Sequence, residues 1–124
     1  MWIYANPNPC RSEEADCVVR AICIATGTPW RRIHRELCDL SRDLCSMPSI
    51  NWVWGAYLTG LGWKKESADG TVRDFAEAHP EGTYILGTGQ HAVAVSRGNW
   101  IDTWDSGDEQ ILYYFRKRGR NNGI

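Results

Sequence analysis

One histidine and one aspartate near the C-terminus have the types and the spacing of a catalytic pair. His91 precedes the apolar run Ala92–Val95, and Asp102 follows a predicted turn at Arg97-Gly98. The apolar run is short and bounded by polar residues and glycine, which favours strands over a helix. With the turn centred there, His91 lies diagonally across the hairpin from Asp102, within reach of a ring side chain. A histidine held by a carboxylate can serve as general base for a nucleophile.

The nucleophile must come from elsewhere in the chain, and five cysteines compete for the role. Cys17 is predicted to be the first residue of a helix, where free N–H groups and the helix dipole stabilise a thiolate and lower its pKa. The same N–H groups can hold a developing oxyanion. We therefore predict a triad of Cys17, His91 and Asp102, against the plainer alternative that Cys17 is only a core residue. The other four cysteines, with simpler packing or loop roles, are Cys10, Cys23, Cys38 and Cys45.

Asp105 is the rival of Asp102, because a turn shifted by one residue would place it opposite His91. Its simpler role is to bond the loop that follows it, so the diagonal geometry favours Asp102. Asp16 is predicted to cap the helix that begins at Cys17.

Three other polar residues near the candidate triad have structural interpretations. Arg20 is predicted to form an ion pair that ties the helix to a neighbour, with a substrate carboxylate as the other possible partner. Ser49 or Asn51 is predicted to cap the third helix.

The elements that must position these residues occur as helices first and strands later. Residues 1–15 are predicted to be irregular, and the helix from Cys17 ends at the C-cap Gly27. It is apolar nearly all round, which indicates a buried helix. The later helices are predicted from Thr28-Pro29, over 50–61 and after the cap Thr71. The predicted strands lie at 63–67 and 83–88, followed by a strand that opens with His91, a return strand carrying Asp102, and a strand near 111–115.

This order predicts a single domain, 1–124, of the α+β class, with a buried N-terminal helix packed on a C-terminal antiparallel sheet. Residues 116–124 are predicted to be a flexible, solvated tail.

Composition excludes several classes of function. The 124 residues carry a formal net charge of −1, which predicts no nucleic-acid or membrane partner. The N-terminus lacks the pattern of a signal peptide, and the cysteines form no CxxC pair, so we expect a reducing cytoplasm and free thiols. Cys10, Cys38 and Cys45 lack zinc-site spacing, and we predict no metal and no cofactor.

The motifs resemble those of the papain-like cysteine peptidases. HAVAV at 91–95, followed by a short turn and IDTWDSG at 101–107, is similar to the strand pair that carries the catalytic His and its orienting Asn in that clan. The resemblance implies that Cys17 is the nucleophile, that His91 is the base and that Asp102 replaces the Asn. It also implies that Trp104 shields the contact of His91 with its orienter.

The whole chain also resembles short phage and prophage proteins of Firmicutes that share DCVxRAI and HxVAV…DTWDSGD motifs. The chain also departs from papain-like enzymes around the predicted nucleophile and in the spacing of the triad. The CGSCW context is absent, and no Gln precedes Cys17, so Asn8 is the expected amide donor to the oxyanion. The spacing between Cys17 and His91 is short, so we expect a shallow or narrow site.

These features lead to one main hypothesis of function and two alternatives. The main hypothesis is a small papain-like cysteine hydrolase, a peptidase or amidase, in the host cytosol if the protein is phage-encoded. Its substrate would be a peptide, a protein such as a host protein, or another amide. The first alternative is a non-catalytic papain-like module that binds or inhibits a host protein or small molecule. The second is a structural protein of the virion. The oligomeric state stays open.

Overall fold

Helix α1 (Cys17–Thr26) packs against the middle of a six-stranded mixed sheet in the computed structural model, which describes residues 1–117. The fold is therefore α+β, as predicted. The sheet order is β1-β5-β4-β3-β6-β2. The other elements are β1 (Trp2–Tyr4), α2 (Trp30–Asp43), α3 (Asn51–Gly60), β2 (Trp63–Ser67), α4 (Val72–Ala78), β3 (Thr83–Gly87), β4 (Ala92–Ser96), β5 (Asn99–Asp102) and β6 (Tyr113–Lys117).

The burial of α1 follows from its apolar sequence. Val18 and Ile22 are almost fully enclosed in a core shared with α2, α3 and the sheet. The helix ends at Gly27, whose φ of 71° lies in the left-handed region that glycine adopts without strain. The predicted buried helix and its C-cap are both confirmed. The first residue of α1, Cys17, thus lies on a rigid element beside β4.

The hairpin of β4 and β5 has the predicted register. Arg97 and Gly98 both have positive φ, as a tight turn matched to strand twist requires. Val95 pairs with Trp100, and Ala94 pairs with Ile101 in the same antiparallel register. Extending that register sets His91 diagonal to Asp102, as expected from the sequence.

The N-terminal segment and the C-terminal end of the sheet differ from prediction. Trp2–Tyr4 is a strand, not an irregular segment, and pairs in parallel with β5, so the sheet is mixed rather than wholly antiparallel. The last described strand begins at Tyr113 and continues through Arg116 and Lys117, the first two residues of the predicted tail. These two residues are held because Trp63 and Lys64 of β2 pair with them. The rest of the predicted tail, 118–124, lies outside the described residues.

Residue 71 caps α4 as predicted. The Thr71 hydroxyl accepts a hydrogen bond from the Asp74 N–H, and the Asp74 carboxylate accepts one in return from the Thr71 N–H.

Within residues 1–117, no helix combines the length and the apolar character needed to cross a membrane.

Gly87 offers a test of the packing between β3 and β6. A methyl group there would overlap the Tyr113 ring, so we expect Gly87→Ala to destabilise the protein by about 1–3 kcal/mol. Gly60→Ala at the end of α3 is the matched control, because a methyl group there meets nothing within 4 Å. It should change the unfolding free energy by less than about 1 kcal/mol, in the stabilising direction. Urea unfolding measures both, and equal midpoints would contradict the packing described.

Candidate active site

Cys17 and His91 face a common cavity of about 230 Å³ between the start of α1, the start of α3 and the loop before β4. We call it the Cys17 cavity. Each catalytic candidate comes from a different element, and the sheet brings them together. The cavity is lined by Ala15, Cys17, Val18, Ser49, Asn51, Trp54, Gly89, Gln90 and His91.

The predicted contact between the histidine and its orienter is present. His91 Nε2 lies 2.6 Å from Asp102 Oδ2, and Asp102 is only 4% exposed. The same carboxylate accepts hydrogen bonds from the Thr103 N–H and the Ser106 hydroxyl, both at 2.8 Å. A carboxylate held by several donors cannot turn away, so the imidazole it binds is fixed in orientation. Since Nε2 is occupied, Nδ1 is the ring nitrogen left for the thiol.

Cys17 and His91 shift each other's proton affinity in opposite directions. Burial by itself raises the pKa of the Cys17 thiol, but hydrogen bonds from His91 and the Ala92 backbone outweigh it, helped by the charges of His91 and Arg20. The net pKa of Cys17 lies below its ordinary value.

The pKa of His91 is shifted in the opposite direction, upwards. Burial lowers the pKa of the imidazole, yet hydrogen bonds to Asp102 and Cys17, with their negative charges, raise it to about 9. Each member of the pair therefore stabilises the charged form of the other, the thiolate of Cys17 and the imidazolium of His91.

The remaining cysteines differ from Cys17 in their surroundings. Burial raises the pKa of Cys23 to about 12, which makes it inert at neutral pH. Cys10 and Cys45 are exposed. Cys38 has its sulfur 3.7 Å from His34, on the outer part of α2. Cys17 is thus the cysteine that combines a lowered pKa with a cavity and a base.

Asp16 occupies the cap position of α1 but does not cap it. Its carboxylate instead accepts hydrogen bonds from the Asn8 amide (2.9 Å) and the Trp30 indole (3.0 Å), and it forms an ion pair with Arg20 one turn along the helix. The other side of the Arg20 guanidinium lies 3.9 Å from Asp102. The prediction that Arg20 ties the helix to a neighbour is confirmed, and that neighbour is the residue that holds His91.

The structure does not bring Asn8 into the Cys17 cavity. Its amide donates to Asp16 and lines a second cavity behind the head of α1. The side-chain amides that do line the Cys17 cavity belong to Asn51 and Gln90. The first N–H groups of α1, which have no carbonyl partner within the helix, are the other available donors.

Asn51 also differs from its predicted role as a helix cap. It is the first residue of α3, and its amide donates to the Gly89 carbonyl at 3.1 Å while accepting from the Trp54 indole. It thereby anchors the loop that leads into His91. Neither Asn51 nor Ser106 has a sequence signal for its role, since each acts on a residue brought near by the fold.

Asp105, the rival of Asp102, and Trp104, the expected shield of His91, both lie near the site, but their contacts differ. Asp105 accepts hydrogen bonds from the Trp100 indole and the Gly107 N–H, contacts that hold its pKa below the ordinary value. It therefore has the loop-bonding role. Trp104 lies with its ring centroid 5.0 Å from that of His91 and remains 43% exposed, so it covers one side of the imidazole.

Within residues 1–117, no three His, Cys, Asp or Glu side chains come together as a potential metal site.

No protein-family model, curated protein or solved structure matches the chain. The function must therefore be inferred from the chemistry of the site.

The roles of Asp102 and Asp105 can be distinguished by how the substitution of each changes the pKa of His91. We expect Asp102→Asn to lower the pKa of His91 from about 9 by at least about one unit, since it removes the negative charge that stabilises the imidazolium. Asp105→Asn is the matched control and should leave the His91 titration in place. NMR titration of the ring signals measures both. A drop caused by Asp105→Asn instead would mean that the assignment of the orienter is wrong.

Proposed function

We propose that the protein is a small cysteine hydrolase that cleaves peptide, isopeptide or other amide bonds through Cys17, His91 and Asp102. The observation that carries the proposal is the position of His91, which binds Asp102 at 2.6 Å on one side and shares a cavity with Cys17 on the other. Nucleophile, base and orienter in this order form the arrangement of cysteine hydrolases.

The reaction follows from the charges of the pair. The Cys17 thiolate attacks the substrate carbonyl carbon, and the carbonyl oxygen becomes an oxyanion. The carbon–nitrogen bond then breaks as the amine leaves with the proton from the His91 imidazolium. A water molecule attacks the resulting thioester, and His91 accepts its proton. The thiolate departs and the acid is released, which restores the starting state.

The oxyanion would be stabilised by groups at the head of α1. The N–H groups of the first turn and the partial positive charge of the helix terminus face the side of the cavity where Cys17 lies. Gln90, whose side chain is exposed and lines the same cavity, is a further donor in place of Asn8. This donor set would supply the role that a preceding Gln has in papain-like enzymes.

The papain-like and phage relationships remain part of the proposal. The papain-like relationship draws support from a cysteine at the head of a buried helix and from a histidine and an aspartate brought together by the β4–β5 hairpin. A protein of this kind would act on a protein or peptide in the host cytosol.

A non-catalytic binding module is the second candidate. It is favoured by large apolar side chains exposed on the segment beside the cavity, among them Met47 (63%) and Trp52 (57%). A binding module has no need of a lowered thiol pKa, however, so the environment of Cys17 favours the hydrolase.

Alkylation by iodoacetamide against pH, resolved by mass spectrometry, tests the thiolate. An ordinary thiol with a pKa of about 8.5 is almost fully protonated at pH 6, whereas Cys17 has a lowered pKa and should react faster than Cys45 there. His91→Ala removes the hydrogen bond and charge that oppose burial, so the pKa of Cys17 should rise and its rate at pH 6 fall about tenfold per pKa unit. The Cys45 rate is the internal control. Equal rates at Cys17 and Cys45 in the unmodified protein would overturn the proposal.

Turnover is tested with an activated ester such as 4-nitrophenyl acetate. We expect a burst of 4-nitrophenol and an acetyl group on Cys17, both lost in Cys17→Ala and reduced by about 100-fold or more in His91→Ala. Cys45→Ala, at an exposed position just after α2, is the matched control and should keep the full burst. An unchanged burst in a folded Cys17→Ala protein would exclude Cys17 as the nucleophile.

A further inference from the structure

A second cavity adjoins the candidate active site on the side away from the sheet. It has a volume of about 430 Å³ and lies between the N-terminal segment, the head of α1 and the outer part of α2. We call it the α1–α2 cavity. Ala15, Val18 and Ser49 line both cavities, so the two cavities adjoin each other beside the head of α1. A group in the α1–α2 cavity would therefore lie next to a carbonyl placed at Cys17.

The lining of the α1–α2 cavity is apolar on its inner side. Val18 and Val19 from α1 and Leu37 from α2 form that side, and all three are buried in the core. Trp30 forms another side of the cavity. Two contacts hold its ring in place: the indole N–H donates to Asp16, and the ring stacks on His34 with the two ring centroids 4.9 Å apart. A wall held in place before binding loses little freedom when a ligand packs against it.

The charged groups around this cavity do not call for a charged ligand. The buried Asp16 carboxylate is already satisfied by Arg20, by the Asn8 amide and by the Trp30 indole. The other charged side chains of the lining, Glu14 and Arg31, are exposed and opposite in sign. Since burying an uncompensated charge is costly, the interior suits an uncharged, apolar group.

The backbone at the junction of the two cavities is strained. Ala15 has a φ of 62°, in the left-handed region that residues with a Cβ rarely adopt. Strain of this kind persists where the surroundings determine the conformation, and it clusters at ligand sites. Here it turns the chain so that Asp16 faces the α1–α2 cavity while Cys17 faces the other.

We propose that the α1–α2 cavity binds a large apolar side chain, aromatic or branched aliphatic, of the same substrate whose carbonyl is attacked by Cys17. The volume falls within the range of about 300–1,000 Å³ typical of small-ligand sites, and the three lining residues shared with the Cys17 cavity place the two cavities close enough for one substrate to occupy both. The proposal rests on the proposed function, since it takes Cys17 as the nucleophile. It makes the protein selective for amides flanked by a bulky apolar residue.

Two alkylating probes of different bulk test the selectivity. Iodoacetamide reports the reactivity of Cys17 alone, and N-(2-phenylethyl)iodoacetamide adds an aromatic group that can enter the α1–α2 cavity. In each case the sulfur forms a bond to the methylene carbon and iodide leaves. We expect the ratio of aromatic to parent rate at Cys17 to exceed the same ratio at Cys45 by about tenfold or more, as contacts in an apolar pocket allow.

A variant that fills the cavity gives the specific control. Ser12 is exposed and lines the α1–α2 cavity but not the Cys17 cavity, so Ser12→Trp should remove the preference and leave the iodoacetamide rate at Cys17 unchanged. Ser67→Trp makes the same change at an exposed position of β2 that lines neither cavity, and it should keep the preference.

The outcomes separate the two proposals. A fast iodoacetamide reaction at Cys17 with a tenfold aromatic preference that Ser12→Trp removes supports the apolar subsite. A fast reaction without that preference, or with a preference that Ser12→Trp retains, overturns the subsite and leaves the hydrolase proposal standing. A reaction with iodoacetamide no faster at Cys17 than at Cys45 overturns the hydrolase proposal, and the subsite with it.

Discussion

A buried guanidinium between two buried carboxylates is the interaction on which the geometry of the site depends. Arg20 pairs with Asp16 at the head of α1 and lies 3.9 Å from Asp102 at the end of β5, with all three side chains at least nine-tenths buried. Charges so deeply buried must be paired, because an unpaired one would cost several kcal/mol. The helix head and the strand end are therefore held in one relative position. Cys17 follows Asp16 directly, and His91 is bound by Asp102, so the same constraint sets the position of the Cys17 side chain relative to the His91 ring.

The site alternates in charge across these elements. From the helix to the sheet the order is the Cys17 thiol, whose pKa is lowered, the His91 imidazole, whose pKa is raised, and the Asp102 carboxylate, with the Arg20 guanidinium beside it. Burial alone would neutralise both Cys17 and His91, since it disfavours charged forms. Their hydrogen bonds to each other and to fixed partners reverse that tendency. The low dielectric of the interior strengthens these interactions, so they stabilise the charged forms of Cys17 and His91 despite burial.

The Asp16 carboxylate links this electrostatic core to the α1–α2 cavity. It orients the Trp30 indole on one side and holds Arg20 on the other. A group that displaced Trp30 would therefore disturb the hydrogen bonding at the residue before the nucleophile. In this arrangement the wall of the proposed apolar subsite and the head of α1 share one buried anion. Under that proposal, substrate binding and the placement of the Cys17 thiol would depend on the same packing.

Features that depend on residues close together in the chain could be predicted from the sequence. The Arg97-Gly98 turn and the short apolar run before it predicted the hairpin and so the contact of His91 with Asp102, and the apolar run after Cys17 predicted a buried helix. Contacts between distant segments became visible only in the folded chain: the parallel pairing of Trp2–Tyr4, the anchoring of the His91 loop by Asn51, and the partners of Asp16. Local preferences act over a few residues along the chain, whereas these contacts arise where packing and the pairing of buried polar groups bring remote residues together.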